Sequence, residues 1–342
     1  MPKGVFRVTL ILLLLLLATV AGVLLEGPPA RAPVGAVLYL WYGGPGSSTG
    51  PGTPGWNSTV SPGGGAVVDR PTIGYYASDS NQTFKTQVDQ MQGLGLSFAV
   101  VSWWGPYAKG EAGAINKATL DLFRYLKGTD SDFKVAIMVD SFPSGSNISM
   151  SQVYSYVYGS FAGPYAKWYF DWQSRPLLVT FNPARPLYND TRFTSREIGN
   201  YACVPAESCP NKALNSNLDW IWWDAPAQYF SSQAGAVNAT NDEGQPVISP
   251  DGEVTIVPRI DSYFDRGYSG SYLRFDPNLS QGLYQEQWSY VLGHSSEVKL
   301  VIIYSWNEYH ERTAIEPHVD ATAAVGPSYL ANLTASYISE LS

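Results

Sequence analysis

Residues 299–318 read KLVIIYSWNEYHERTAIEPH, an apolar strand that stops abruptly in carboxylates, aromatics and histidine. The run from Leu300 to Ile303 lacks the alternation of a half-exposed strand, so burial on both faces is expected, as for parallel strands flanked by helices. Function in such sheets gathers at the C-terminal strand ends, and the residues that follow are Trp306, Asn307, Glu308, Tyr309, His310 and Glu311. A helical turn starting there would put Glu308 and Glu311 on one face, roughly 5–6 Å apart at Cβ. Two carboxylates so close cannot both ionise cheaply, which sets an acid beside a base or nucleophile. Retaining glycosidases use a separation of about 5–5.5 Å. The same pair also fits a purely structural role, because acidic residues favour the positive end of a following helix.

Outward from this stretch, β-rich apolar runs alternate with helical periodicity. Strands are expected over residues 36–42, 97–103, 134–140, 176–181, 219–224, 255–260 and 300–304, and helices over 83–93, 117–127, 151–172, 195–201, 283–293 and 328–341. Such alternation implies a parallel sheet, and at this length an α/β fold of the (β/α)8 TIM-barrel type, a single catalytic domain with long loops on the C-terminal face. Seven strands are legible; the eighth is expected in the polar segment 183–217 or in the Gly-Pro-Asn-rich stretch 233–253.

The strand ends share a composition. They read Trp41-Tyr42-Gly43, Ser102-Trp103-Trp104, Asp140, Trp222-Trp223-Asp224, Arg259 with Asp261, and Trp306-Asn307-Glu308. Each Trp taken alone fits a core position, but a barrel brings these ends to one face, and Trp with Asp repeated there makes a concave site suited to sugars. The Gly-Pro-rich residues 43–65 carry no periodic pattern and read as a loop beside that cleft.

Composition agrees. Aromatics reach 14% of the chain, with 11 Trp and 23 Tyr, while only 15% of residues are charged and the net charge is −8. Flat rings cover the apolar faces of sugars, and the acidic balance argues against nucleic acid or an anionic membrane surface as partner. Residues 1–32, with Lys3 and Arg7 before an apolar run, read as a signal peptide or an N-terminal membrane anchor through residues 9–25, followed by a short linker; 33–342 is the catalytic domain. The body is then expected to be extracellular or at the cell surface. Two features fit that compartment: the cysteines Cys203 and Cys209, close enough in sequence for a structural disulfide, and N-x-S/T sequons at Asn57, Asn81, Asn147, Asn189, Asn238, Asn278 and Asn332. His310, Glu316 and His318 lack the spacing of metal ligands, so neither metal nor cofactor is expected.

The run Trp306-Asn307-Glu308-Tyr309-His310-Glu311, followed by Thr313, Ile315, Glu316 and Pro317, resembles the signature of glycoside hydrolase family 99, the endo-α-mannosidase group. LYLWYGGP around Trp41, GLGLSFAVVSWWGP and VPRIDSYFDRG are similar to further family segments in the same order, so the resemblance spans residues 36–318. It implies a retaining endo-acting enzyme that cleaves internal α-mannosidic linkages through a 1,2-anhydro sugar. Glu308 would then take the proton of the sugar 2-hydroxyl, and Glu311 would act as general acid/base. Substrate contacts would come from Tyr42, Trp103, Trp104, Asp140, Asp224, Tyr263, Asp265, Trp306, Asn307 and His310. The partner is an oligosaccharide or polysaccharide α-glycan, with α-1,3-glucan as an alternative substrate; a non-catalytic surface glycan-binding or cell-envelope protein is the alternative function. The chain departs from the family pattern at Tyr309, usually tryptophan, at Arg312, usually glycine, and in MVDSF, which lacks a usual His and Glu. An arginine beside Glu311 would be expected to pair with it, which ill suits a proton donor.

Overall fold

The computed structural model describes residues 31–43, 55–56, 67–142, 146–181, 190–199, 219–221, 246, 248–266 and 274–341. Among the described residues eight parallel strands follow the chain, besides short antiparallel pieces: β1 (Val34–Tyr39), β2 (Phe98–Trp103), β3 (Lys134–Val139), β4 (Arg175–Phe181), β5 (Thr194–Gly199), β6 (Asp219–Ile221), β7 (Glu253–Ile256) and β8 (Leu300–Ile303). They form one parallel ladder in the order β6, β5, β4, β3, β2, β1, β8, β7. The end strands β6 and β7 come within 8 Å at Cα, yet no ladder joins them among the described residues. The architecture is therefore a curled parallel α/β sheet, and the closed barrel expected from sequence is met only as far as this curl.

All seven strands read from sequence are present, with shifted ends. The eighth is β5, inside the polar segment 183–217 and over residues expected to be helical. Thr194, Arg196 and Ile198 are buried while Ser195 and Glu197 are partly exposed, a period of two. The polar character misleads because Arg196 is neutralised inside, its Nε and Nη2 donating to Asp251 at 2.8 and 2.7 Å. The helix expected over 151–172 also breaks up: α3 (Met150–Val157) runs into a π turn, Tyr158–Ala162, and the segment ends in a short strand, Asp171–Trp172, antiparallel to β4.

Helices α1 (Asn81–Gly93), α2 (Gly110–Thr129), α5 (Leu283–Gly293) and α6 (Tyr329–Glu340) cover the outside of the sheet; α4 (Tyr263–Arg266) is a single turn. Strand parity sorts the core into two layers. Leu38, Val101, Trp103, Ile137, Val139, Val301 and Ile303 face outward with Phe84, Met91, Leu122, Phe123 and Trp288 of the helices. Val37, Tyr39, Phe98, Val100, Met138, Val179, Ile198, Trp220, Ile302 and Tyr304 face inward. Burying each such side chain stabilises by about 1.5–3 kcal/mol. Gly35 is required beneath this inner layer, since a Cβ there would lie 2.4 Å from the Phe98 ring.

The expected leader or anchor falls on residues that lie outside the described ones, as do Cys203, Cys209, Asp224, and the sequons at Asn57, Asn189 and Asn238. Among the described residues no helix is long and apolar enough to cross a membrane. The sequon asparagines Asn81, Asn147, Asn278 and Asn332 are all exposed.

Candidate active site

Beyond β8 the chain is fastened to β1 before it presents any carboxylate. Trp306 N donates to Val37 O at 2.7 Å. Asn307 then repeats a strand pairing with its side chain: Oδ1 accepts from Tyr39 N at 2.8 Å and Nδ2 donates to Tyr39 O at 2.9 Å. Its Nδ2 also reaches Tyr76 Oη at 3.0 Å, and Tyr76 and Tyr309 both donate to Glu316, which Gln87 of α1 holds from the other oxygen. Burial pushes the Glu316 carboxyl up, and these donors pull it back. Tyr309, where the resembled family has tryptophan, thus has a use for its hydroxyl. Tyr42 is a strut under the same loop, donating to Asn307 O at 2.7 Å and accepting from Tyr309 N at 3.0 Å.

No helix begins at Glu308; residues 309–312 form a turn. Ser305 Oγ accepts from Glu308 N at 2.7 Å, and Glu308 Oε1 accepts from His310 N at 2.7 Å and Glu311 N at 3.2 Å. The carboxylate of Glu308 itself caps the turn, which is why the helical spacing argument arrives at the right neighbours by the wrong geometry. Glu308 is 2% exposed, while Glu311 is partly exposed. Tyr304 Oη donates to Glu311 Oε2 at 2.6 Å and accepts from Tyr39 Oη at 3.2 Å.

Below the two glutamates lies Asp140, at the end of β3, whose Oδ2 accepts from Ser102 Oγ at 2.6 Å. Burial, with the charge of Glu311 adding to it, raises Asp140 to about 6 against the Ser102 donor. Burial likewise drives the Tyr39 and Tyr304 hydroxyls well above the ordinary phenol range, and the surrounding carboxylates reinforce this, so both remain donors. Tyr39 and Tyr304 are not among the sequence candidates, and Ser102 enters there only within a strand end. Strand parity would have found them, since Tyr39 and Ser102 are the last inward positions of β1 and β2 and Tyr304 continues that parity one residue past β8.

One wall of the site is aromatic. Trp41 makes edge contacts with Trp104 and His310, at ring-centroid distances of 5.6 and 6.0 Å, and His310 lies parallel to Tyr42 at 6.3 Å. Of the expected sugar contacts, Trp104, Asp140 and His310 lie at this end, each partly exposed. Trp103 and Trp306 do not: both are 0% exposed in the outward layer, and Trp103 Nε1 is spent on Asn116 of α2 at 3.0 Å. Asn307 is a buried anchor. Tyr263 on α4 is 45% exposed and covered on one face by Arg274; the side chain of Asp265 lies outside the described residues.

Arg312 does not turn toward Glu311. Its φ of +56° is left-handed, a region that glycine enters most easily, and it directs the side chain down into a buried ion network. Arg312 Nε and Nη2 hold Asp69 as a fork at 2.9 and 3.0 Å, Nη1 holds Asp261 at 2.9 Å and Nη2 reaches Asp320 at 2.9 Å. Arg259 adds bonds to Asp69 and Asp320, and Arg274 to Asp261. Burial alone would raise Asp320, but His318, Arg259 and the backbone of Ala323 and Thr322 hold it well below the usual carboxylate range. Asp69, His318 and Asp320 bring ligand-type atoms within 4.8 Å of one another. Two guanidiniums already serve these carboxylates, which leaves a metal ion no role there. Glu316 and His310 belong to other clusters, so the sequence trio of His310, Glu316 and His318 does not assemble around one point.

No protein-family model and no curated protein matches the chain. Solved structures do. A GH99 endo-alpha-mannosidase from Bacteroides thetaiotaomicron is similar with a TM-score of 0.60 at 16% identity, over 90% of this chain and 97% of that one. The same enzyme in complex with bis-tris-propane gives a TM-score of 0.63 at 16% identity, over 90% and 96%. A glycoside hydrolase-like protein gives 0.51 at 15% identity, over 93% and 97%. At such identity the likeness is one of fold.

Proposed function

We propose that this chain is an exported, retaining, endo-acting glycoside hydrolase that cleaves internal α-mannosidic or closely related α-glycan linkages. The observation that carries the reading is the placement of Glu308 and Glu311 together on one turn at the C-terminal end of β8, beside an aromatic wall. Supporting it are the sequence signature over residues 306–317 and the fold likeness to glycoside hydrolases. Two backbone N–H groups fix Glu308 through Oε1, and such hydrogen bonds are stronger to an ionised carboxylate than to its acid. Glu308 takes the proton of the sugar 2-hydroxyl as that oxygen attacks C1. The C1–O bond to the leaving sugar breaks with its electron pair, and Glu311 protonates the departing oxygen. Glu311 then takes a proton from water, which opens the 1,2-anhydro ring at C1, and Glu308 returns its proton to O2. Two displacements at one carbon retain its configuration.

A second reading, a surface glycan-binding protein without turnover, draws on the structural use of Glu308 as a turn cap. The test incubates the full chain with α-mannan, α-1,3-glucan and a high-mannose glycan, beside Glu308→Gln and Glu311→Gln. Oligosaccharides released from one polymer, with a loss of about 10²–10⁴-fold in Glu311→Gln, establish the endo-hydrolase and its substrate class. Glycan affinity equal in all three proteins, with no release by any, selects the binding protein.

A further inference from the structure

We propose that Tyr304 is the positioning residue of Glu311: its hydroxyl, held in turn by Tyr39, ties down one carboxyl oxygen and leaves the acid proton to the other. This rests on the assignment of Glu311 as general acid/base. Three observations carry it. The Tyr304 Oη to Glu311 Oε2 distance is 2.6 Å, the length of a charge-assisted hydroxyl–carboxylate hydrogen bond. Tyr304 is 5% exposed and Tyr39 4%, so no water competes freely for either hydroxyl. The direction of the chain is also set: because the Tyr304 proton points at Glu311, its oxygen can only accept from Tyr39, and each bond polarises the next.

Consecutive residues at the end of β8 therefore address the two glutamates separately. Tyr304 donates to the side chain of Glu311, and Ser305 Oγ takes the backbone N–H of Glu308 while joined to Thr313 Oγ1 at 2.8 Å. Among the described residues, Tyr39 at the end of β1, Asp140 just past β3, Tyr304 just past β8 and Glu308 from its own turn face Glu311. Tyr304 makes a direct hydrogen bond to its carboxyl group. A carboxylic acid has one oxygen that accepts and one that carries the proton. With Oε2 engaged as acceptor, the proton sits on Oε1, and it passes from there to the departing sugar oxygen as the C1–O bond breaks. Tyr304 keeps its own proton in both steps. The competing view, that Tyr304 only fills the top of the inner layer, requires the ring and not the oxygen.

Tyr304→Phe in the full chain keeps the ring and removes the oxygen. On the glycan that the wild type cleaves, kcat falls about 10- to 100-fold through lost orientation of the acid, with KM within about twofold. On a substrate whose leaving group departs without protonation, such as an α-glycosyl fluoride, the loss in kcat/KM shrinks to within about twofold, because the acid is not called on. An equal loss on both substrates, or a lowered melting temperature with kcat unchanged, overturns the proposal. A second readout needs no turnover: the side-chain carboxyl carbon of Glu311, followed by carbon-13 NMR at one pH and assigned by its loss in Glu311→Gln, should move in Tyr304→Phe relative to wild type. If the wild type cleaves nothing, the hydrolase reading fails, yet this resonance still decides whether the Tyr304 hydroxyl holds the Glu311 carboxyl; an unmoved resonance overturns the proposal.

Discussion

Two charged clusters lie a few residues apart at the end of β8, and one carboxylate of each, Asp140 and Asp320, is shifted in the opposite direction to the other. Above the sheet, Asp140 and Glu311 are held by hydroxyls, from Ser102 and Tyr304. Within the wall behind the turn, Asp69, Asp261 and Asp320 are held by the guanidiniums of Arg259, Arg274 and Arg312. A hydroxyl orients a carboxylate and leaves its charge in place; a guanidinium cancels it. Burial raises Asp140 to about 6 against its hydroxyl donor, while His318, Arg259 and backbone donors press Asp320 well below the usual range. The first cluster is kept fit for proton traffic, and the second fixes the backbone that carries it. Arg312 marks the border, since it follows Glu311 directly and yet belongs wholly to the second cluster.

The largest way to break this contrast is to remove Arg312. Arg312→Ala strips the fork from Asp69 and one partner each from Asp261 and Asp320, all buried, and should lower unfolding free energy by about 3–5 kcal/mol in urea titrations. Arg312→Gly should lose about 1 kcal/mol less, because glycine adopts the left-handed φ of this position without a steric penalty. Losses under about 1 kcal/mol in both variants would mean that the network is decorative and that the distinction between the clusters fails.

That border also marks what the sequence could and could not tell. The parallel sheet was legible because β1, β2, β3 and β8 are continuous apolar runs, and the two glutamates were legible because they end one of them. What escaped depended on direction. Arg312 is next to Glu311 along the chain, but a single positive φ points it elsewhere. Trp103 and Trp306 stand at strand ends, where one step of parity separates cleft from helix-facing core. The polar run Thr194-Ser195-Arg196-Glu197 conceals β5, and only the distant partner Asp251 makes Arg196 a core residue. Tyr39 and Tyr304 looked like two of many tyrosines until parity put them under Glu311.

The contrast is sharpened next by pH. A carboxyl whose folded-state value is raised binds its proton more tightly folded than unfolded. The share of stability from Asp140 is therefore present below about 3.8 and lost as pH rises through about 6. Wild type should lose about 2 kcal/mol relative to Asp140→Asn between pH 4 and pH 7, allowing for partial exposure. Asp320 runs the other way: its contribution is present above its ordinary value and fades only in stronger acid. Asp320→Asn should thus flatten the acid limb of the stability curve below about pH 4 and leave the Asp140 slope intact. Denaturant midpoints across this range check both, and two slopes of the same sign would erase the opposition between the clusters.

The finest test asks whether a hydroxyl really leaves charge in place. Ser102→Ala removes the 2.6 Å donor to Asp140 and almost nothing else, since Ser102 is 1% exposed and the change deletes one oxygen. That bond favours the ionised carboxyl, so its loss should carry Asp140 further upward and shift the pH window of the preceding comparison with it. At pH 8, where Asp140 is ionised, the variant should be less stable by about 1 kcal/mol. At pH 4.5, with Asp140 protonated in the folded state, the deficit should shrink to about half of that, because a neutral hydrogen bond is the weaker one. An equal deficit at both pH values would mean that Asp140 does not change charge between them. The hydroxyl-held cluster would then differ from the guanidinium-held one in geometry alone.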